Sequence, residues 1–205
     1  MAAEIKHADT DRIYIKAANF TIKHRDYFSL PNLYRLMYFW LVDEGFVSKS
    51  GSAFPETFYL NRESQKKGGE VIVWWRIKND VDKYYRYILN LNLTVLMLRT
   101  EQVMHQGQKF KSNWGEVTIQ LDSKLELDYQ YESGNGWRNH PILKNFNTLF
   151  AKRIIKRDIE FAKLDLYRYS YRFQDAIKGY IQKPSYLPEK EDRMLWPEAG
   201  LGETK

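Results

Sequence analysis

The chain has 205 residues, is 43% apolar and 16% aromatic, carries a net charge of +6 and contains no cysteine. That length suits a single domain that buries about 70% of its unfolded surface, so neither a metal nor a disulfide is needed for folding. The missing cysteine excludes disulfides, thiolate metal sites and cysteine nucleophiles, and it agrees with a reducing, cytoplasmic setting.

In chain order, Met1 to Thr10 lacks the apolar stretch of a signal peptide. Arg12 to Lys23 reads as a first strand, and its alternation breaks at Ala17-Ala18, which predicts a bulge. Ser29-Leu30-Pro31 opens a helix. Ser29 is placed to cap it, Leu30, Leu33, Met37, Trp40 and Leu41 share one face, and Gly45 ends it. After a loop from Lys49 to Pro55, strands are predicted over Glu56 to Glu63 and Glu70 to Lys78, joined by Lys66-Lys67-Gly68-Gly69.

The strongest period-two signal follows. From Tyr85 the odd positions are Tyr85, Tyr87, Leu89, Leu91, Leu93, Val95 and Met97. From Val117 they are Val117, Ile119, Leu121, Ser123, Leu125, Leu127, Tyr129 and Tyr131. Each run predicts a strand of about 50 Å, far above the usual length, and therefore a bent antiparallel sheet. No apolar run is long enough to span a membrane, because Asn90, Asn92 and Thr94 interrupt the longest. Val103 to Lys111 reads as a short hairpin about Gln106-Gly107, and Ser133-Gly134-Asn135-Gly136 as a turn.

The last helical region starts near Asn139-His140-Pro141, with Ile142, Phe146, Leu149 and Phe150 extending its apolar pattern upstream. Its main stripe is Ile155, Ile159, Ala162, Leu166, Tyr169, Phe173, Ala176 and Tyr180, which predicts an amphipathic helix of about seven turns. Phe161, Leu164, Tyr167 and Tyr171 widen the apolar arc, which predicts burial on a second flank. Ten Lys or Arg stand against four Asp or Glu between Asn139 and Lys183, an excess equal to the net charge of the whole chain. The expected organisation is one α+β domain over residues 1–183, with a long antiparallel sheet wrapped on the C-terminal helix. A flexible charged tail follows over 184–205, in which Met194-Leu195-Trp196 is the one apolar cluster.

This order of strand, helix, antiparallel strands and long terminal helix resembles the helix-grip layout of the START-like superfamily over residues 12 to 182. The runs Trp74-Trp75-Arg76, Val103-Met104-His105 and Leu125-Glu126-Leu127-Asp128-Tyr129 resemble those of uncharacterised proteins from small-genome archaea, a likeness that implies no function. The superfamily resemblance implies a cavity between sheet and last helix that takes an apolar small molecule or lipid. Tyr85, Tyr87, Phe161, Tyr169 and Phe173 are the expected ligand-binding residues, with rings enclosing the apolar part and hydroxyls orienting a head.

Chemistry-bearing residues give little else. His7, His24, His105 and His140 show no ligand spacing, so no metal or cofactor is expected. Glu126 and Asp128 lie about 7 Å apart on one strand face, within the range of paired catalytic carboxylates. Their place on an alternating polar face predicts a solvated role instead. Trp74 and Trp75 must point to opposite faces, one into the core and the other outward beside Arg76, where it could stack on a base, a sugar or a partner. A non-enzymatic binding module is therefore expected. The alternatives are a self-assembling or protein-interaction role through the wide apolar helix, with a homo-oligomer as partner, and weak, non-specific, salt-sensitive nucleic-acid binding through the basic helix.

Overall fold

The computed structural model of the chain describes residues 6–7, 12–48, 54–63, 68–105, 108–130 and 155–182. The elements in order are β1 (Lys6–His7), β2 (Ile13–Phe28), α1 (Leu30–Asp43), β3 (Glu56–Arg62), β4 (Gly69–Asp80), β5 (Tyr85–His105), β6 (Gln108–Leu127) and α2 (Lys156–Ile181). The fold is α+β, with one open antiparallel sheet in the order β1-β2-β6-β5-β4-β3. The loop tips 64–67 and 106–107, the segment 131–154 with the predicted Ser133–Gly136 turn and helix start, and the tail with Met194-Leu195-Trp196 lie outside the described residues.

Alternation fixes which face is inside. Leu89, Leu91, Leu93 and Val95 of β5 pair with Ser123, Leu121, Ile119 and Val117 of β6, and all eight side chains are buried. Val71, Val73, Trp75 and Ile77 of β4 continue the same face. Among the described residues two helices cover it: α2 packs across β2 and β6 and touches α1, and α1 buries Leu33, Met37 and Leu41.

Several boundaries move from their expected places for identifiable reasons. The β5–β6 ribbon runs on through the expected short hairpin, with 21 and 20 residues in its two strands. A register shift between Leu96 and Arg99, with Met97 at φ 55°, resets the parity that ends the run in the sequence. Gly115 lies beside this bulge, where a Cβ would come 3.0 Å from the Leu96 carbonyl oxygen. At the other end β6 stops at Leu127, because Asp128 turns to φ 53°, so Tyr129 lies beyond the strand. Ser29 is the N-cap of α1 but makes no side-chain cap bond. The Leu30 N–H instead donates to the Asn113 side chain at 3.3 Å. Gly45, at φ 76°, ends the turn after α1 as expected.

The expected bulge in β2 falls between Lys16 and Ala18, and a buried serine completes it. The Ser123 hydroxyl accepts from the Ala18 N–H at 3.1 Å and donates to the Ala18 carbonyl at 3.2 Å. The Ser170 hydroxyl of α2 sits 2.9 Å from Ser123 and 2.7 Å from the Leu166 carbonyl. A polar break in an otherwise apolar face is thereby satisfied, and small side chains let α2 approach the sheet.

Glu126 and Asp128 correct the expectation of a solvated polar face, being 1% and 2% exposed. Glu126 lies 2.5 Å from Arg86 Nε and 3.8 Å from Arg12 Nε. Arg86 also lies over the Tyr129 ring at 4.9 Å. The arginines come from the opposite strand and from the chain entering β2, positions that alternation along β6 cannot reveal. Removing one partner of a buried ion pair strands the other charge. Replacing Arg86 by Met should cost about 3 kcal/mol in urea unfolding, towards the low end because Arg12 remains, and adding Glu126→Met should restore most of it. An unchanged midpoint in the single variant would show that the pair carries no stability.

Candidate functional site

Four of the five expected site residues meet where β5 begins under α2. Tyr87 lies 6.2 Å from Phe46 by ring centroids, and Phe46 lies 5.4 Å edge-on from Tyr169. Trp40 stacks 6.4 Å from Phe46 and lies 4.8 Å from Phe173. Tyr85 is partly buried at the edge of this group and close enough to feel Asp158 and Asp165 of α2. Burial, and then Asp165, pushes the Tyr87 hydroxyl up to about 12, and burial also raises that of Tyr85. Trp40 and Phe46, from the end of α1 and the turn after it, fill the space between these residues. Phe173 is 0% exposed, a core residue in a packed aromatic cluster.

Phe161 departs from the expectation. It is 54% exposed and stands in solvent with Leu164 and Tyr167, so the second flank of α2 is not buried among the described residues. The arc is wide in sequence because these rings lie on the far side of the helix, where they contact their own turns: Arg157 lies over Phe161 at 5.7 Å, and Tyr167 is 4.4 Å from Tyr171. The basic residues of α2 other than Lys163 are exposed, three of them in ion pairs: Lys156–Glu160, Arg168–Asp165 and Arg172–Glu44.

A pocket of about 480 Å³ opens elsewhere on the same sheet face, between the start of α1 and strands β3 to β5. Val71, Val73 and Leu93 form its floor, and Leu30 and Pro31 form the α1 wall. Its polar groups are Tyr34, Arg35, Glu56 and Tyr59. The Tyr34 hydroxyl donates to Glu56 Oε2. Burial and this carboxylate push the Tyr34 hydroxyl well above its usual range. Behind them Tyr34 meets Trp75 edge-on at 4.9 Å and Phe54 at 6.3 Å. None of the four polar residues stands out in the sequence. Tyr34 and Arg35 are off the apolar stripe of α1, and Glu56 is turned inward by a register shift between Glu56 and Phe58. The readable signal was the inward run Val71, Val73 and Trp75, which forms or backs the floor.

On the opposite face Trp74 is 42% exposed, packs on Phe58 at 4.6 Å and carries Arg76 at 5.6 Å, as the alternation predicts. Arg76 is tied down by the Trp75 and Leu91 carbonyls at 2.9 and 3.1 Å. Among the described residues no cluster of three His, Asp or Glu is placed to hold a metal, and no helix is long and apolar enough to cross a membrane. No protein family, no curated protein and no solved structure matches the chain.

The two expected site phenylalanines should separate on truncation. Phe173→Ala should cost about 3–5 kcal/mol in denaturant unfolding, as for a filled core position. Phe161→Ala should stay within about 0.5 kcal/mol of the parent. A small cost at Phe173 would reveal free space beside it.

Proposed function

We propose that the chain is a non-enzymatic binding module of helix-grip-like layout, which holds a small apolar or amphiphilic ligand between its sheet and helical cover in a cytoplasmic, reducing setting. The observation that carries this reading is the pocket under α1, with its apolar floor and the Tyr34–Glu56 pair at its mouth. Small-molecule sites have this character, mostly apolar lining with a few polar groups that fix orientation, and the volume lies in their usual range of about 300–1,000 Å³. The START-like resemblance is supported by the strand order, since β2 lies beside β6, the remaining strands meander back to β3, and the terminal helix crosses β2 and β6. The single α1 and the position of the pocket under it, away from the terminal helix, set this chain apart from the layout that the resemblance implies. Tyr34 and Glu56 form one donor–acceptor pair without a nucleophile bonded to it, which favours holding a ligand over transforming one.

An environment-sensitive apolar dye tests the pocket. It should bind the parent saturably, and Leu30→Trp, which fills the α1 wall at a half-exposed position, should weaken binding more than about tenfold with little change in unfolding midpoint. Equal dye affinity in the two proteins would refute the site.

A second reading, assembly through the outer flank of α2, is favoured by Phe161, Leu164 and Tyr167 standing in solvent on a helix whose other side is fully packed. It predicts a sedimentation coefficient that rises with concentration and falls back in Leu164→Glu. A concentration-independent monomer would remove it.

A further inference from the structure

Among the described residues Glu56 is a partly buried carboxylate without a basic partner: its one described bond is the hydrogen bond from the neutral Tyr34 hydroxyl. The contrast within the molecule is direct, because Glu126, a buried carboxylate on the opposite face of the sheet, is held by two arginines. A carboxylate withdrawn from water without a cation is a cost, and the cost disappears when a ligand brings the positive charge. Aromatic rings gather on the same side. Tyr34 and Tyr59 line the pocket, and Phe54, 47% exposed, lies 5.1 Å from Tyr38 and 6.1 Å from Trp75. Rings beside a lone carboxylate are the surroundings that attract an organic cation, whose charge is spread over carbon and weakly hydrated.

We propose that the pocket selects an amphiphile with an organic ammonium head, its alkyl part on Val71, Val73 and Leu93 and its head against Glu56 and the rings of Tyr34 and Tyr59. This rests on the pocket reading above and adds the sign of the ligand's charge. Arg35 also lines the pocket, and it opposes an ammonium. It is exposed, so salt and water screen it, whereas Glu56 is partly withdrawn from both. The Tyr34 hydroxyl, its proton engaged by Glu56, offers only lone pairs to a ligand, which again favours a positive or donor head.

Three probes of equal chain length decide the matter by calorimetry below their micelle concentrations: decyltrimethylammonium, decanol and decanoate. The parent should bind them in that order of decreasing affinity, the ammonium about tenfold tighter than the carboxylate. Glu56→Gln keeps an acceptor for Tyr34 and should abolish most of that preference, while Arg35→Ala should sharpen it. Leu30→Trp should weaken all three probes. Decanol or decanoate binding as tightly as the ammonium, or a preference that survives Glu56→Gln, would overturn the ammonium head and leave the pocket standing. If none of the three binds, the pocket reading falls and this inference with it.

Discussion

The pairing of β5 with β6 is the constraint on which the rest of the structure depends. In one register it stacks Leu89, Leu91, Leu93 and Val95 against Ser123, Leu121, Ile119 and Val117, all on one face. A slip of one residue would turn every one of them to water, so the pairing is held by the whole apolar set. At roughly 25 cal/mol per Å² such a face is the largest favourable contribution available to the chain, but only if something covers it. The helices are shaped by that requirement. α2 places Ile159, Ala162, Leu166, Phe173 and Ile177 in one buried stripe, and its single polar member, Ser170, falls opposite the single polar member of the β6 face, Ser123.

Helix length then decides where the pocket forms. α2 has 26 residues and α1 has 14, which at about 1.5 Å per residue are close to 39 and 21 Å. The longer helix crosses the strands at the β2–β6 side, and Trp40 and Phe46 close the seam between the helices with rings. The β3–β4 side is left to the first two turns of the shorter helix, where Pro31 and Tyr34 cannot fill the floor over Val71 and Val73. The cavity is thus a shortfall of cover, and it lies at the end of the sheet away from α2.

This explains what the sequence could and could not reveal. Period-two alternation is a local property, so the long strands, their inward leucines and the opposite faces of Trp74 and Trp75 were legible in it. The bulge at Ala17-Ala18 was legible for the same reason, as a break in parity. Continuation past Met97 was not, because a bulge there restores alternation in the opposite phase. Burial of Glu126 was hidden because its partners Arg86 and Arg12 are brought near only by sheet pairing, and that of Asp128 because the strand ends there in a residue at φ 53°. The apolar width of α2 was read correctly as composition and wrongly as burial: among the described residues the helix has one sheet to lie on, and Phe161 and Leu164 are exposed. The pocket was sought under the terminal helix because that helix was the most visible element. The pocket on which the proposed function rests has walls from α1 and β3, two elements whose contact has no sequence period.

Glu126 and Glu56 show how the same residue type is turned to different ends by its surroundings. Glu126 sits one residue from the end of β6, between two neighbouring strands, with an arginine opposite it on β5 and a second reaching in from the chain that enters β2, so its charge is answered within the fold and its burial serves cohesion. Glu56 sits at the first residue of an edge strand, just before a bulge, where among the described residues no ladder neighbour on the outer side supplies a cation. The fold gives it a phenol, which satisfies one oxygen and leaves the charge in place. Stability alone would favour a neutral residue there, because a partly buried unpaired charge raises the energy of the folded state. A charge that the described scaffold does not answer, set beside apolar space that it does not fill, is a local loss of stability, and it is on this loss that the proposed binding site rests.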